Sequence, residues 1–220
     1  MTWFLPAPAA HLPALAARLR IDRRLDRPVV ALTFDDGPHP QGTPAVLEEL
    51  ARFGARATFF LVGEQVRAHP DVARAVADAG HEIGVHCDRH TLLLRRPPPA
   101  VELDLARALE SIRAATGADP VLHRAPYGVY SSGALRIVRR LGLRPLLWSR
   151  WGRDWERRAS AASIARRAAA GLRTGDVVLL HDSDAYGARG SWRKTAYAVP
   201  SLLEAIATLG VPADSVTHST

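Results

Sequence analysis

Short apolar runs alternate along the chain with longer amphipathic stretches, most of which end at a glycine. The runs predict buried strands and the longer stretches predict helices. The predicted strands are Val29–Phe34, Ala57–Val62, Glu82–His86, Val121–Arg124, Pro145–Ser149, Val177–His181 and Asp214–Thr217. The predicted helices are Pro13–Leu19, Thr43–Gly54, Glu64–Ala79, Ala100–Thr116, Ser131–Leu141, Ser160–Leu172 and Thr195–Leu209. Strands that alternate with helices indicate an α/β fold with a parallel sheet and helices outside it.

Several predicted strands are apolar at every position, such as VVAL, ATFFLV and VVLL. Continuous apolarity is typical of strands that are covered on both faces, as in parallel sheets. Six or seven such units are enough for a small or incomplete barrel, with an open doubly wound sheet as the alternative. We place one domain at residues 29–220 and an N-terminal extension or short helix at residues 1–28. In either fold, functional side chains are expected at the carboxyl ends of the strands.

Composition narrows the class of protein. The 220 residues are 47% apolar and 23% charged, which is typical of globular domains and excludes disordered and collagen-like chains. No stretch approaches the roughly 18 apolar residues of a membrane span. The N-terminal segment lacks an early positive charge, and Pro6, Pro8 and Pro13 interrupt its apolar run, unlike a secretory signal. We therefore expect a cytoplasmic protein, with a secreted protein whose signal has been removed as the alternative.

The charged residues and the single cysteine restrict partners and cofactors. The net charge is +7, and all basic residues except Lys194 are arginines. These arginines form no block longer than short pairs such as Arg166 and Arg167, so nucleic acid is not an expected partner, although an acidic partner stays open. Cys87 alone cannot form an internal disulfide or a cysteine-rich zinc module. Any metal site must therefore use histidines and carboxylates, and nothing in the sequence indicates the oligomeric state.

Carboxylates and histidines collect at the ends of two predicted strands. Asp35 and Asp36 close the first strand, where one carboxylate can bind a metal while the other stays free as a base; the alternative is an Asx-turn before Gly-Pro. His86 ends the third strand and His90 follows four residues later, so in a helical or loose turn both imidazoles face one point. Two histidines and one carboxylate suit Zn²⁺ or a similar divalent ion.

Further polar motifs follow the later strands. Arg124–Gly128 forms a tight loop after the fourth strand, and His181 is a candidate acid at the end of the sixth. The segment Asp182–Trp192 is either a substrate loop on the same face or an ordinary surface loop. Trp148 and Trp151 are expected to pack in the interior rather than to contact a sugar.

Taken together, five motifs resemble those of the polysaccharide deacetylases of the NodB-homology type, carbohydrate esterase family 4. They occur in family order as TFDDGP at Thr33–Pro38, HxxxH at His86–His90, RAPYG at Arg124–Gly128, DW at Asp154–Trp155 and LLHD at Leu179–Asp182. The resemblance covers the chain from about Val29 to the last helix. It implies a deformed (β/α) barrel of about seven parallel strands and a metal-dependent hydrolase that removes an N-acetyl group from an amino sugar.

The resemblance also implies a metal centre and a base. One divalent ion would be held by Asp36, His86 and His90; Zn²⁺ is expected, with Co²⁺, Ni²⁺ and Mn²⁺ as alternatives. Asp35 would act as the general base that removes a proton from water, and Arg124 would orient Asp35.

The remaining roles implied by the resemblance concern the leaving group and the acyl group. His181 would be the general acid that protonates the departing amine, with Asp154 favouring its charged form. The backbone N–H of Tyr127 would help to bind the oxyanion, and Trp155 and Leu179 would line the pocket for the acetyl methyl group.

Two other functions remain open at this point. One is an amide hydrolase of the same fold that acts on a non-sugar compound, and the other is an inactive carbohydrate-binding domain. An inactive domain would be expected to lack at least one residue of the metal, base and acid set, and this chain has them all. Chitin oligomers, peptidoglycan, lipid- or nucleotide-linked sugars and a secondary-metabolite amino sugar all stay open as the N-acetylated substrate.

Overall fold

A computed structural model describes residues 6–7 and 12–217 of the chain. Its strands are β1 (Pro6–Ala7), β2 (Val30–Asp35), β3 (Thr58–Leu61), β4 (Glu82–Val85), β5 (Leu122–His123), β6 (Tyr130–Ser131), β7 (Arg144–Pro145), β8 (Arg150–Trp151), β9 (Val177–His181) and β10 (Ala213–Asp214). Its α-helices are α1 (Pro13–Arg18), α2 (Gly42–Arg52), α3 (Gly63–Ala68), α4 (Pro70–Asp78), α5 (Pro98–Thr116), α6 (Ser132–Arg140), α7 (Ala161–Ala169) and α8 (Ser191–Ala207).

The central sheet is parallel throughout. Its strands lie in the order β7-β5-β4-β3-β2-β9-β8, and β10 pairs with the first residues of β2. Every neighbouring pair in this sheet is parallel, whereas β1 and β6 form a separate antiparallel pair. The predicted α/β fold with about seven parallel strands is therefore confirmed.

The sheet is curled into an incomplete barrel. Strands β7 and β8 lie at opposite edges of the sheet, yet only residues 146–149 separate them along the chain. Five Cα–Cα steps span at most ~18 Å, whereas the edges of a flat seven-stranded sheet would lie ~29 Å apart. The two edges must therefore approach each other, which is the geometry of a deformed (β/α) barrel.

The core lies between the sheet and the surrounding helices. All six residues of β2 are buried, as are all four of β3, which explains why their sequences show no polar alternation. The rings of Phe34 and Phe59 stack with centroids 5.0 Å apart between these two strands. None of the helices among the described residues is both long enough and apolar enough to cross a membrane.

The largest differences between predicted and observed boundaries concern three elements. The predicted helix Glu64–Ala79 is divided into α3 and α4 at Pro70, which has no N–H for the helix and disfavours the helical conformation of the preceding residue. The predicted strand Pro145–Ser149 is replaced by the two short strands β7 and β8. The last helix begins at Ser191, four residues before the predicted start, because Gly190 supplies a left-handed turn ahead of it.

Candidate active site

The parallel sheet places the carboxyl ends of β2, β4 and β9 on one face of the molecule. Asp35 and His181 are the last residues of β2 and β9, and His86 follows β4 directly. The loops at the carboxyl ends of β2, β4, β5 and β8 contain four of the five non-glycine residues that have a left-handed backbone among those described. They are Asp36, Cys87, Tyr127 and Arg153, with φ values of 76°, 69°, 60° and 54°. Such conformations are held in place by their surroundings and cluster at functional sites.

A cavity of about 260 Å³ opens at these strand ends. It is lined by Asp35, Asp36, His86, His90, Tyr127, Gly128, Trp148, Trp151, Trp155, Leu179, His181 and Tyr186. Eight of the ten residues predicted for the site are in this lining, and Arg124 and Asp154 lie behind it in contact with Asp35 and His181. A larger depression of about 630 Å³, on the surface between α3, α4 and α5, contains none of the ten.

Three side chains in the cavity have the composition and spacing of a metal site. One ligand atom from each of Asp36, His86 and His90 lies within 4.8 Å of the other two. The Oδ1 atom of Asp36 is 3.5 Å from His86 Nε2 and 3.4 Å from His90 Nε2, and it has no hydrogen-bond partner in the described part of the chain. Ligand atoms in a tetrahedral zinc site lie ~3.3–3.4 Å apart, because each is ~2.0–2.1 Å from the ion. A buried, unpartnered carboxylate oxygen at this spacing fits a divalent ion.

The two histidines of this group are oriented differently. His86 Nδ1 donates a hydrogen bond to the backbone carbonyl of Arg124 at 2.8 Å, which leaves Nε2 directed at Asp36. The segment from His86 to His90 is an irregular turn rather than a helix, and the side chain of Cys87 points away from the site, with Sγ 3.5 Å from His123 Nε2. Burial, with a contribution from the charge of His86, lowers the pKa of His90 to about 4, so His90 is neutral near neutral pH, as a ligand must be.

Asp35 is held by a buried arginine. Arg124 Nη1 donates to Asp35 Oδ1 at 2.7 Å and to Thr33 Oγ1 at 2.8 Å. The guanidinium also donates to the carbonyls of residues 146 and 147, and it lies 4.1 Å from the ring centroid of Phe60. Because Arg124 is fully buried, its hydrogen bond fixes the direction of the Asp35 carboxylate. The other carboxylate oxygen of Asp35 is 3.8 Å from His86 Nε2.

His181 also lines the cavity and is paired with a carboxylate. Its Nδ1 is 2.9 Å from Asp154 Oδ1, and its backbone N–H donates to Asp154 Oδ2 at 2.7 Å. Thr195 Oγ1 donates to the same oxygen, so the fully buried Asp154 has several partners. Burial opposes the charge on His181, but the charge and hydrogen bond of Asp154, with smaller effects of Asp36 and Asp35, raise the pKa of His181 to about 10.

One wall of the cavity is aromatic. The rings of Trp148, Trp151 and Trp155 follow one another with centroid distances of 5.8 and 5.5 Å, and the Trp155 ring meets His181 edge to face at 5.3 Å. Sequence reasoning assigned Trp148 and Trp151 to packing, and although both are largely covered they line the cavity. Leu179, two residues before His181 on β9, lies on the same wall because alternate strand residues share a face.

The loop that follows β9 supplies a residue that sequence reasoning did not single out as a site residue. Tyr186 lines the cavity and stacks on His90, with ring centroids 4.2 Å apart and planes 12° apart. The signal for it was the predicted substrate loop Asp182–Trp192, since the loop follows a strand end on this face. Tyr127 also contacts the His90 ring, edge on at 4.6 Å. In the described part of the chain, the backbone N–H of Tyr127 donates no hydrogen bond, as an oxyanion donor requires.

Comparison with known proteins agrees with the motifs. The family model described as polysaccharide deacetylase matches residues 22–146, more than half of the chain. The chain belongs to the polysaccharide deacetylase family. The chitooligosaccharide deacetylase of Azorhizobium caulinodans is 39% identical to this family member over 154 residues, which cover 70% of this chain and 73% of the relative.

Solved structures of polysaccharide deacetylases share the fold. A peptidoglycan N-acetylglucosamine deacetylase in complex with 4-naphthalen-1-yl-N-oxidanyl-benzamide superposes with a TM-score of 0.82 and 26% identity, covering 89% of each chain. A wild-type CE4 family pseudoenzyme from Bacillus anthracis superposes with a TM-score of 0.80 and 22% identity, covering 89% of this chain and 66% of the other. The second likeness concerns the fold alone, so activity has to be argued from the site residues.

Proposed function

We propose that this protein is a metal-dependent hydrolase that removes an N-acetyl group from an amino sugar, in an oligo- or polysaccharide or in a sugar-containing small molecule. The observation that carries the proposal is the meeting of three groups in one cavity. These groups are a metal-type triad of Asp36, His86 and His90, the carboxylate of Asp35, and His181 with its raised pKa. The names of the relatives support sugar N-deacetylation as the reaction.

Asp36, His86 and His90 are the residues that would hold the ion. A divalent ion in such a site supplies a Lewis acid that polarises an amide carbonyl and lowers the pKa of a water molecule. Three nitrogen and oxygen ligands leave a position open to substrate, which is typical of catalytic rather than structural zinc sites. Zn²⁺ is the ion that we propose, with Co²⁺, Ni²⁺ and Mn²⁺ as the alternatives to be compared.

Asp35 acts as the general base. It lies beside the metal triad, 3.8 Å from His86 Nε2, and one of its oxygens is occupied by Arg124 while the other is turned towards His86. An ionised carboxylate in this position accepts a proton from the attacking water. The hydrogen bond from Arg124 prevents rotation of the Asp35 carboxylate. Arg124 is therefore a positioning residue that acts on Asp35 and does not contact the substrate.

His181 acts as the general acid. An amine is a poor leaving group unless its nitrogen is protonated as the C–N bond breaks. With the pKa of His181 raised to about 10 by Asp154, the imidazole carries the required proton at neutral pH. Its Nε2 atom faces the cavity, 3.9 Å from Asp36 Oδ2, so the proton is available beside the proposed metal site.

The backbone N–H of Tyr127 and the apolar wall complete the site. The amide of Tyr127 is without an intramolecular acceptor in the described chain and donates to the oxyanion as it forms. Trp155 and Leu179 form the apolar part of the cavity, which suits a methyl group better than a charged or polar substituent.

Release of acetate from defined substrates tests the proposal. The zinc-loaded protein is incubated with N-acetylglucosamine oligomers, with peptidoglycan fragments and with non-sugar N-acetyl amides, and acetate is measured. Release from sugars alone supports the proposal, release from non-sugar amides alone supports the alternative amide hydrolase, and release from none contradicts both.

A base variant shows that the release belongs to this protein. Asp35→Asn is expected to keep the ion and to lose about 10²–10⁴-fold in turnover, because general-base assistance typically contributes that much. Asp71→Asn is a matched control, since Asp71 is an exposed carboxylate in the first turn of α4, outside the cavity. Equal rates for both variants would remove Asp35 from the mechanism.

A further inference from the structure

The imidazole of His90 lacks the support that His86 has. In metal sites, a ligating histidine almost always donates its second ring N–H to a carboxylate, a carbonyl or water, and this fixes the direction of the ring. His86 follows this rule through the carbonyl of Arg124. The Nδ1 atom of His90 is buried and has no hydrogen-bond partner among the residues described. Something other than a hydrogen bond to protein must therefore hold the His90 ring.

Two tyrosine rings contact His90 in place of that hydrogen bond. Tyr186 lies flat against the imidazole, at 4.2 Å between centroids and 12° between planes, and Tyr127 meets it edge on at 4.6 Å and 66°. A parallel ring restricts rotation of the imidazole about its bond to Cβ, because a rotated ring would collide with the tyrosine. Of the two rings, only that of Tyr186 covers a face of the imidazole.

Tyr186 is itself held at its far end. Its hydroxyl donates to Glu64 Oε1 at 2.7 Å and accepts from Gln65 Nε2 at 3.3 Å, and both partners belong to the first turn of α3. The loop around it is also held by a contact of 3.3 Å between His39 Nε2 and Asp184 Oδ1. The ring is therefore anchored on a helix outside the sheet, independently of the metal triad.

We propose that Tyr186 is a positioning residue for the metal: its ring holds His90 in the orientation in which Nε2 points to Asp36. The inference rests on the metal centre of the proposed function. According to this inference, the affinity of the site for its ion depends on the loop after β9, which contributes Tyr186 to the lining of the cavity.

Metal affinity, measured without any substrate, tests this role. The zinc affinity of the parent and of Tyr186→Ala is determined by competition with a chromogenic chelator. We expect Tyr186→Ala to weaken zinc binding roughly 10-fold or more, which is the lower end of the effect of removing a partner of a ligating histidine. Tyr186→Phe keeps the ring and is expected to restore affinity to within about 3-fold of the parent, because the stacked contact remains.

A second tyrosine provides the control. Tyr197 lies in α8 with 73% of its surface exposed and does not line the cavity, so Tyr197→Ala is expected to bind zinc as the parent does. Thermal unfolding of the metal-free proteins shows whether Tyr186→Ala has kept the fold, and Tyr186→Leu serves as a second variant if it has not. In the Co²⁺-loaded proteins, the visible d–d absorption reports ligand geometry directly, and its bands are expected to shift in Tyr186→Ala and not in Tyr186→Phe.

The outcomes separate this inference from the proposed function. If folded Tyr186→Ala and Tyr186→Leu bind zinc as tightly as the parent, with an unchanged Co²⁺ spectrum, the positioning role is wrong while the deacetylase proposal stands. If Tyr186→Ala loses affinity but the parent releases no acetate from any sugar, the positioning role stands and the proposed function is wrong. A parent protein that binds no divalent ion would overturn both.

Discussion

His86 and His181 occupy equivalent places in the fold but have different partners. Each stands at the carboxyl end of a parallel strand, and each turns Nε2 into the same cavity. The Nδ1 atom of His86 meets a backbone carbonyl at 2.8 Å, whereas that of His181 meets the carboxylate of Asp154 at 2.9 Å. A neutral carbonyl fixes the ring without adding charge, while a buried carboxylate stabilises the imidazolium. The group that faces Nδ1 is therefore the feature that distinguishes the proposed metal ligand from the proposed acid.

Two residues, Arg124 and Asp154, supply the contacts that hold His86, Asp35 and His181 in place. Arg124 supplies the carbonyl that orients His86 and the guanidinium that orients Asp35, so one residue positions both a proposed metal ligand and the proposed base. Asp154 accepts from both the side chain and the backbone of His181, so one carboxylate positions the proposed acid and raises its pKa. Neither residue lines the cavity.

The strongest test of the comparison removes each imidazole in turn. His86→Ala is expected to abolish tight zinc binding and activity together, because one of three protein ligands is lost. His181→Ala is expected to bind zinc as the parent does and to lose about 10²–10⁴-fold in kcat, since only proton donation is removed. The measurements are zinc content after dialysis and acetate release at saturating metal. Equal loss of zinc in both variants would contradict the division into a ligand and an acid.

The pH dependence of activity tests the proposed role of His181 as the acid. Protonated His181 is the active form, so activity falls as pH rises through its pKa, which Asp154 raises to about 10. Asp154→Asn keeps a hydrogen-bond acceptor for Nδ1 but removes the charge, which lowers that pKa. The alkaline limb of kcat/KM is therefore expected to move to lower pH by roughly 1–3 units, the usual effect of a close opposite charge.

The zinc affinity of Asp154→Asn provides the control for this profile and is expected to be unchanged, because Asp154 contacts none of the proposed ligands. An alkaline limb that stays in place in this variant would assign that limb to another group. A limb that moves to higher pH would contradict the sign of the argument.

The strand ends were the predictable part of the site. Continuous apolar runs identify β2, β3 and β9, and the polar residues that follow them can be read directly, so the sequence pattern alone brings Asp35, Asp36 and His181 together. Strands β5, β7 and β8 have only two residues each, too few to show a period, so the position of β8 at the far edge was not foreseen. The division of the third predicted helix, Glu64–Ala79, at Pro70 could have been predicted, since a proline removes a helix donor at that point.

Contacts made across the chain were the unpredictable part. Trp148 and Trp151 follow an apolar run and looked like core residues, because only the curling of the sheet turns their rings towards the cavity. Tyr186 stacks on a residue 96 positions earlier, at a distance set by the hydrogen bonds of its hydroxyl to the first turn of α3. Neither propensity nor spacing contains this information, since loop conformation depends on tertiary partners.

The smallest expected effect concerns acyl specificity on the acid side of the cavity. Leu179 precedes His181 by two residues on β9 and lines the cavity, so its side chain limits the space beside the acid. Leu179→Ala is expected to raise kcat/KM for an N-butyryl sugar relative to the N-acetyl sugar by about 10-fold, since one methylene in an apolar pocket changes the rate by about 10–200-fold.

Leu180→Ala is the matched control, because Leu180 is equally buried but faces α7 and lies close to Gly152. It is expected to lower stability by about 2–5 kcal/mol and to leave the acyl ratio unchanged. An acyl ratio that moves equally in both variants would reflect general loosening of β9, whereas a ratio that moves only in Leu179→Ala places the acyl group against the acid strand.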